Sequence, residues 1–337
     1  MRLLLIVLLA LPSLAWGNAA MPGFFNVGTG HALMPLTPSD SAAATHVQMS
    51  RELVVMQLYK GFAGVRGEYL FYNNADTSIT ITMGYPVATE YRQQQVFMVG
   101  TDSIYKLRVL VDGNMAELGY ISKDSSANNW RGPYEGDFAA WHTWQLTFPP
   151  KDSLSVQVDF MLNTNWAQLR RGYDREHTCG AGYVLQSGAP WAGKIGRGRI
   201  VLEMMQDMPS DFMVGILPKG RFKHNGEQLY VWDFASLEPT AEDNVLIRYY
   251  TRDSDFNFIQ AAQNAKTVYN RLDQRADDLP AVDKNWQAFT RAKFRPEEKT
   301  AYVITGVLVV FAISVIGISV GSIILIRNWL RKRKQRV

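Results

Sequence analysis

Cysteine is nearly absent from this sequence of 337 residues, which contains only Cys179. The chain can therefore form no internal disulfide, and it also has no Asn-x-Ser/Thr glycosylation site. Secreted eukaryotic domains usually carry disulfides, so an exported chain of this kind is more typical of bacteria. An apolar core must hold the body together, and a chain of this length buries enough surface to do so.

The sequence also lacks the common patterns of metal, nucleotide and hydrolase sites. Its five histidines form no pair at ligand spacing, and it contains neither a His-Glu-x-x-His motif nor a Cys-x-x-Cys pair. The glycine-rich residues 193–198 do not fit a nucleotide-binding fingerprint and are interpreted as a turn between strands. We therefore expect no cofactor and no metal, and we assign no catalytic residue.

Charge is absent from residues 301–326. A helix of that length reaches about 39 Å, which exceeds the bilayer's apolar core of about 30 Å. Arg327 then begins a basic tail, residues 327–337, of the kind that stays on the cytoplasmic side. We predict one membrane-spanning helix over 301–326. Small residues recur on one of its faces and would let two such helices associate: Ser314, Gly317 and Gly321.

The first twenty residues have the pattern of a cleaved signal peptide. An apolar run from Leu3 to Leu11 is too short to span a membrane and is followed by small residues. The body should therefore lie in the periplasm or on the cell surface, with the C-terminus in the cytoplasm. The net charge of +4 derives from the tail and Arg2, and the body itself is slightly acidic, so nucleic acid is not an expected partner.

Short segments of alternating polar and apolar residues dominate the body from about residue 51 to 251. Ile79, Ile81 and Met83 alternate with threonines, which is typical of a half-buried strand. About a dozen such segments predict a mainly β fold, with two antiparallel β-sandwiches at 51–122 and 123–252 after an N-terminal extension at 21–50. Between two of them, Asp112-Gly113-Asn114 predicts a hairpin turn.

A change of period marks residues 253–299 as a juxtamembrane helical segment. Apolar residues from Phe258 to Leu279 recur at spacings of three and four. Packing of this helix against its own β-domain is favoured over a dimeric coiled-coil stalk, because the heptad pattern is short. A second short helix is predicted from Asp283, carrying Trp286, Phe289 and Ala292.

Two groups of residues invite a functional interpretation. Trp130, Tyr134, Trp141 and Trp144 form an aromatic cluster that would bind glycan or peptide if exposed, although burial is favoured. Cys179 follows His177 by two residues, but a catalytic thiol and its base usually come from separate elements. An ordinary structural cysteine is therefore the preferred interpretation.

Three stretches carry a resemblance: residues 65–74, residues 182–196 with a Trp-x-Gly-x-Ile-Gly pattern, and Trp232-Asp233-Phe234 followed by Glu238-Pro239. Over residues 51–251 the chain resembles an uncharacterised family of bacterial exported β-proteins, classed as a domain of unknown function, several of which carry a C-terminal membrane anchor. The resemblance implies a β-fold and an envelope location, and it supplies no catalytic residues. The helical segment is not expected from the family pattern.

These features predict an extracytoplasmic binding or structural module of the cell envelope. Its expected partners are the lipid bilayer, a protein or envelope polymer, and a second copy of the chain. The alternative is an envelope hydrolase that acts on glycan or peptide, because carboxylate pairs converge from distant strands and leave no sequence pattern.

Overall fold

The computed structural model describes residues 23–31, 33–87, 90–93, 96–101, 104–122, 140–171, 174–205, 208–294 and 299–334. The chain divides into two compact units between residues 295 and 296. The predicted signal peptide and residues 123–139, which include Trp130 and Tyr134, lie outside the described residues. The first unit holds the sheets, and the second holds one long helix.

A nine-stranded sheet forms the largest layer, and most of its strands are antiparallel to their neighbours. In spatial order it consists of β21 (Gln287–Ala288), β18 (Lys223–His224), β19 (Leu229–Leu237), β16 (Ile195–Met204), β3 (Val47–Leu58), β4 (Phe62–Asn73), β12 (Ser153–Asn163), β8 (Ile104–Val111) and β9 (Asn114–Met115). The predicted hairpin at Asp112-Gly113-Asn114 joins β8 to β9, and both Asp112 and Gly113 have positive φ, as such a turn requires.

Two further sheets complete the β-structure of the described chain. The eight-stranded sheet has the order β14 (Asp174–His177), β13 (Gln168–Arg171), β1 (Gly23–His31), β15 (Cys179–Val184), β20 (Val245–Tyr249) and β17 (Met213–Leu217), with β7 (Val96–Thr101) beside β1 and β6 (Glu90–Gln93) beside β7. The four-stranded sheet has the order β10 (Gly119–Ser122), β11 (Ala140–Phe148), β5 (Ile79–Pro86) and β2 (Met34–Pro35).

The main core lies on the inner face of the nine-stranded sheet, where all three sheets contribute buried side chains. Val54 on β3, Met83 on β5 and Tyr183 on β15 belong to the same apolar cluster and are fully buried. A short helix, α1 (Pro38–Ala44), begins at a capping box between Thr37 and Asp40 and covers one side of this core.

Two helices pack on the outer face of the nine-stranded sheet: α2 (Phe258–Ala262) and α3 (Ala265–Asp277). Val268, Tyr269 and Leu272 of α3 are buried against Val55 and Met161 of the sheet. The helix predicted from the heptad pattern is thus packed on its own body, with a break around Asn264.

The mainly β fold is confirmed, but the division into sandwiches at 51–122 and 123–252 is not observed. The nine-stranded sheet takes β3, β4, β8 and β9 from one side of that boundary and β12, β16 and β19 from the other. The pairing is also not purely antiparallel, because β1 runs parallel to β15 and to β7, and β16 runs parallel to β3.

Three local predictions also differ from the structure. Residues 21–50 are not an extension, since they contain β1, β2, α1 and the start of β3. The second helix predicted from Asp283 is absent, because the chain pairs instead as β21 with β18 and buries Phe289 in the main core. The glycine-rich residues 195–198 are not a turn but the start of β16, and only Gly193 has positive φ.

The second unit contains α4 (Lys299–Lys334), a continuous helix that includes the predicted span 301–326. Among the side chains that the structure describes, no helical stretch combines the length and apolar character needed to cross a membrane. Membrane insertion of residues 301–326 therefore stays a prediction.

Candidate functional site: an arginine-lined groove

An open groove lies on the outer face of the nine-stranded sheet, beside the C-terminal end of α3. Its volume is about 620 Å³. Strands β16, β3, β4 and β19 form its floor, and the end of α3 with the residues that follow forms one wall. The side chains of interest are three arginines, two carboxylates and an apolar group: Arg51, Arg197, Arg199, Glu68, Asp233, Leu53, Ala235, Ala276 and Leu279.

Strand register brings the three arginines onto one face. Arg197 is the direct partner of Arg51 across the parallel pair β16–β3, and Arg199 lies two residues further along β16 opposite Leu53. Side chains two residues apart point to the same face, and neighbouring strands are about 4.8 Å apart. The groove therefore has a cluster of three positive charges on its floor.

Only one of these charges is neutralised within the described structure. Arg199 forms a bidentate pair with Asp233, with nitrogen–oxygen distances of 2.5 and 3.0 Å, and it also donates to the carbonyl oxygen of Pro280 at 3.1 Å. Arg51 and Arg197 are exposed and have no hydrogen bond or ion pair with any residue the structure describes. Two guanidinium groups thus remain available to a ligand.

Glu68 lies on β4, opposite Leu53. Its nearest cationic contact is Arg66, at 3.7 Å. Burial raises the pKa of this carboxyl, and the positive charges of Arg66 and Arg51 partly oppose the rise. The negative charge of Glu68 is therefore only weakly balanced by nearby positive charges, whereas that of Asp233 is paired with Arg199.

Ion pairs between α3 and the sheet fix the position of α3 and hence of the groove wall. Asp159 accepts hydrogen bonds from Arg66 and Arg108, both at 2.7 Å, and Asp273 of α3 contacts Arg66 from above. Arg275, the residue before Ala276 of the wall, pairs with Glu203 of β16 at 2.5 Å. Tyr269 adds a hydrogen bond to the carbonyl oxygen of Lys106, also at 2.5 Å.

The inner face of the same strands carries a buried polar chain. Tyr183 donates to Glu52 at 2.9 Å, Tyr69 contacts the Tyr183 hydroxyl at 2.7 Å, and Tyr85 donates to the backbone carbonyl of His31. Burial raises the pKa of Glu52 from 4.5 to about 8 and lowers that of His31 from 6.5 to about 3. Neither ring nitrogen of His31 has a partner among the described residues. Burial therefore favours the neutral form of both groups.

The predicted aromatic site is only partly described. Trp141 and Trp144 lie on β11 and are 6% and 2% exposed, so neither presents its ring to solvent. The structure describes neither Trp130 nor Tyr134. The candidate binding surface is therefore the open, polar groove and not this aromatic cluster.

The structure also describes the remaining residues that the sequence suggested as functional. Cys179 is buried, which raises the pKa of its thiol to about 12, and His177 is exposed. The two do not form a nucleophile and base. Ser314 and Gly317 are exposed and Gly321 is partly exposed on α4, with open space beside both glycines, so their role in helix association stays a prediction.

No group of three or more potential metal ligands converges within the part of the chain that the structure describes. Sequence reasoning did not identify Arg51 or Arg197, because these residues meet only through the parallel pairing of β3 with β16. The alternation of arginine and glycine at residues 196–199 was a local signal, but it was interpreted as a turn.

No family model matches the chain. No curated protein matches it either. A candidate nutrient binding protein from Legionella pneumophila is similar in structure, with 17% identity, a TM-score of 0.43, and coverage of 74% of this chain and 77% of that one.

Peptidases show a weaker similarity, among them M1 zinc metallopeptidases. One from Deinococcus radiodurans is 7% identical, with a TM-score of 0.30 over 61% of this chain and 42% of that one. Legionella pneumophila aminopeptidase A is 9% identical, with a TM-score of 0.28 over 60% of this chain and 21% of that one. The chain therefore matches less than half the length of either peptidase.

Proposed function

We propose that this protein is a membrane-anchored binding module of the bacterial envelope, and that the arginine-lined groove is its binding site. The observation that carries the proposal is the in-register pair Arg51 and Arg197, both exposed and unpaired among the described residues. Like charges directly opposite on neighbouring strands destabilise a sheet. A binding role accounts for keeping them together in an open groove.

Helix α4 supports the proposed membrane anchor. Residues 301–326 carry no charge and lie within one continuous helix, and the basic tail follows them. An uncharged helix of this length satisfies its own backbone hydrogen bonds in lipid, and the tail holds its end on the cytoplasmic side. The predicted signal peptide then places the body outside the cytoplasm.

Strand register favours binding over hydrolysis in the groove. Asp233 and Glu68 lie in one row across β19, β16, β3 and β4, so roughly 14 Å separates their backbones. Glycosidases hold their two carboxyl groups about 5 to 10 Å apart, so a hydrolytic pair would require both side chains to extend toward each other across β16 and β3. The carboxylate of Asp233 is moreover already paired with Arg199.

The topology is tested by labelling introduced cysteines with a membrane-impermeant maleimide. The wild-type chain is a clean background because its only thiol, Cys179, is buried. In spheroplasts we expect Lys219→Cys, at an exposed site of the body, to be labelled, and Gln335→Cys, in the tail, to react only after permeabilisation. The reverse pattern would exclude the proposed orientation.

The binding role is tested on full-length protein extracted from its native membranes. Native mass spectrometry should detect a bound species that is lost in Arg197→Glu and kept in the matched surface variant Lys219→Glu. If wild type and Arg197→Glu carry the same species, or none, the groove is not the binding site. Turnover of a glycan or peptide by the wild type would support the hydrolase instead.

A further inference from the structure

We propose that the groove recognises a small amphiphile with a single anionic head group, either a carboxylate or a phosphate, and a short apolar chain. This inference rests on the proposed binding function and assigns the class of ligand to the same groove.

The head group is assigned by charge and geometry. Arg51 and Arg197 lie side by side on strands about 4.8 Å apart, and both are free of hydrogen bonds and ion pairs among the described residues. A guanidinium presents two parallel N–H donors that match the two oxygens of a carboxylate or phosphate. Arg199 is already neutralised by Asp233, so the unpaired positive charge is concentrated at the Arg51–Arg197 end.

The carboxylates of the groove flank this end, and neither forms a hydrogen bond or ion pair with Arg51 or Arg197 in the described structure. Asp233 is engaged by Arg199, two residue pairs further along the strands. Glu68 lies on β4, opposite Leu53 and two residues from the partner of Arg51, and the positive charge of Arg51 acts on its carboxyl group. A ligand with a second negative charge would meet Glu68, so the geometry favours one anionic head.

The apolar chain is assigned by the lining beyond the arginines. Leu53, Ala276 and Leu279 lie between the sheet and the end of α3, and they continue the apolar cluster that α3 forms with the sheet. Leu53 is only 7% exposed, so its contact with a ligand would complete its burial. The volume of about 620 Å³ fits a small molecule and is within the usual range of ligand pockets.

Isothermal titration calorimetry on the full chain in nanodiscs, with empty nanodiscs as the blank, tests this class of ligand. The probes are octanoate, octyl phosphate, octanol, octylammonium and inorganic phosphate. We expect octanoate, octyl phosphate or both to bind at least tenfold more tightly than the other three. Comparison of the two anions distinguishes a carboxylate source from a phosphate source.

Variants assign the binding to the groove. Arg51→Gln and Arg197→Gln should each weaken the preferred anion at least tenfold, Leu279→Gln should weaken octyl probes but not inorganic phosphate, and Lys219→Gln should change nothing. Circular dichroism confirms that each variant is folded. Equal binding of octanol, or unchanged affinity in both arginine variants, would overturn the proposal.

Failure of the ligand class can be distinguished from failure of the binding function. If no probe binds while protein from native membranes carries a species that depends on Arg197, the amphiphile is the wrong class and the groove is still the binding site. If no probe binds and no such species exists, both proposals are excluded.

Discussion

Glu52 and His31 are buried ionisable residues on the inner side of the β-layers, and burial moves their pKa values in opposite directions. The pKa of Glu52 rises to about 8, and that of His31 falls to about 3. Each side chain is therefore held in its neutral form. Tyr183 donates to one oxygen of Glu52, while the other oxygen has no partner among the described residues.

With both pKa shifts present, the free energy of unfolding should be highest at mildly acidic pH and should decrease at higher and at lower pH. Unfolded Glu52 loses its proton above its ordinary pKa of 4.5, whereas the folded form keeps it until about 8, so the free energy of unfolding decreases as pH rises through that window. Within this window Glu52 lowers the free energy of unfolding by about 1.4 kcal/mol for each pH unit. For His31 the unfolded form gains a proton below 6.5 and the folded form only near 3, so stability is lost as pH falls through that window.

Urea unfolding followed by tryptophan fluorescence at pH 5, 6.5 and 8 measures the effect. In Glu52→Gln we expect the free energy of unfolding to decrease much less between pH 6.5 and 8 than in the wild type. Glutamine keeps the acceptor for Tyr183 but does not titrate. Glu238→Gln, at an exposed position, should follow the wild type. An unchanged slope in Glu52→Gln would show that Glu52 ionises normally in the folded protein.

At the scale of elements, the close approach of α3 to the sheet depends on Gly64 of β4. A Cβ added at this position would lie 2.3 Å from Cγ1 of Val268. We expect Gly64→Ala to lift the helix and reduce the free energy of unfolding by about 1 to 3 kcal/mol, as overpacking does. Since α3 forms the wall of the groove, ligand affinity should fall as well.

A double-mutant cycle with Val268→Ala tests the cause. Removing the valine methyl groups makes room for the new Cβ, so the double variant should be more stable than the sum of the two single effects predicts. Urea denaturation of the four proteins gives the coupling energy. Strict additivity would mean that Gly64 acts through backbone conformation and not through its contact with α3.

Sequence periodicity predicted those elements that bury one face. β12 begins with a clear alternation of exposed and buried residues, and the spacing from Phe258 to Leu279 predicted both the helix and its packing on the body. β1 gave no such signal. Gly28 and Gly30 lie where the Asn163 carbonyl and the Phe160 ring approach too closely for any side chain, so glycine replaces the apolar pattern there.

The groove could not be predicted for a different reason. Arg51 and Arg197 are far apart in sequence, and their meeting requires that β16 inserts parallel to β3. Local patterns carry no information on which distant strands pair. The same limit explains the incorrect boundary between two sandwiches, because the alternation of a segment does not identify the distant strand that lies beside it.

At the scale of the whole molecule, the interleaved sheet predicts that the N-terminal part does not fold alone. β4 pairs with β12 and β3 pairs with β16, so a fragment of residues 21–122 lacks a neighbour on both sides of its central hairpin. We expect this fragment to show poor amide dispersion in NMR spectra and no cooperative urea transition. The full chain serves as the folded reference, and a well-dispersed fragment spectrum would contradict the single-body description.

The path of the chain between α3 and α4 has a mechanical consequence. β21 adds only two residue pairs to the edge strand β18, and Ala292 makes a single bridge to Gly215. A pull applied to the body through α4 would load these short contacts one after another before it reached the ion pairs and buried side chains of α3. We therefore expect this segment to detach from the sheets first under load, which would expose the buried side chains of Phe289 and Phe294.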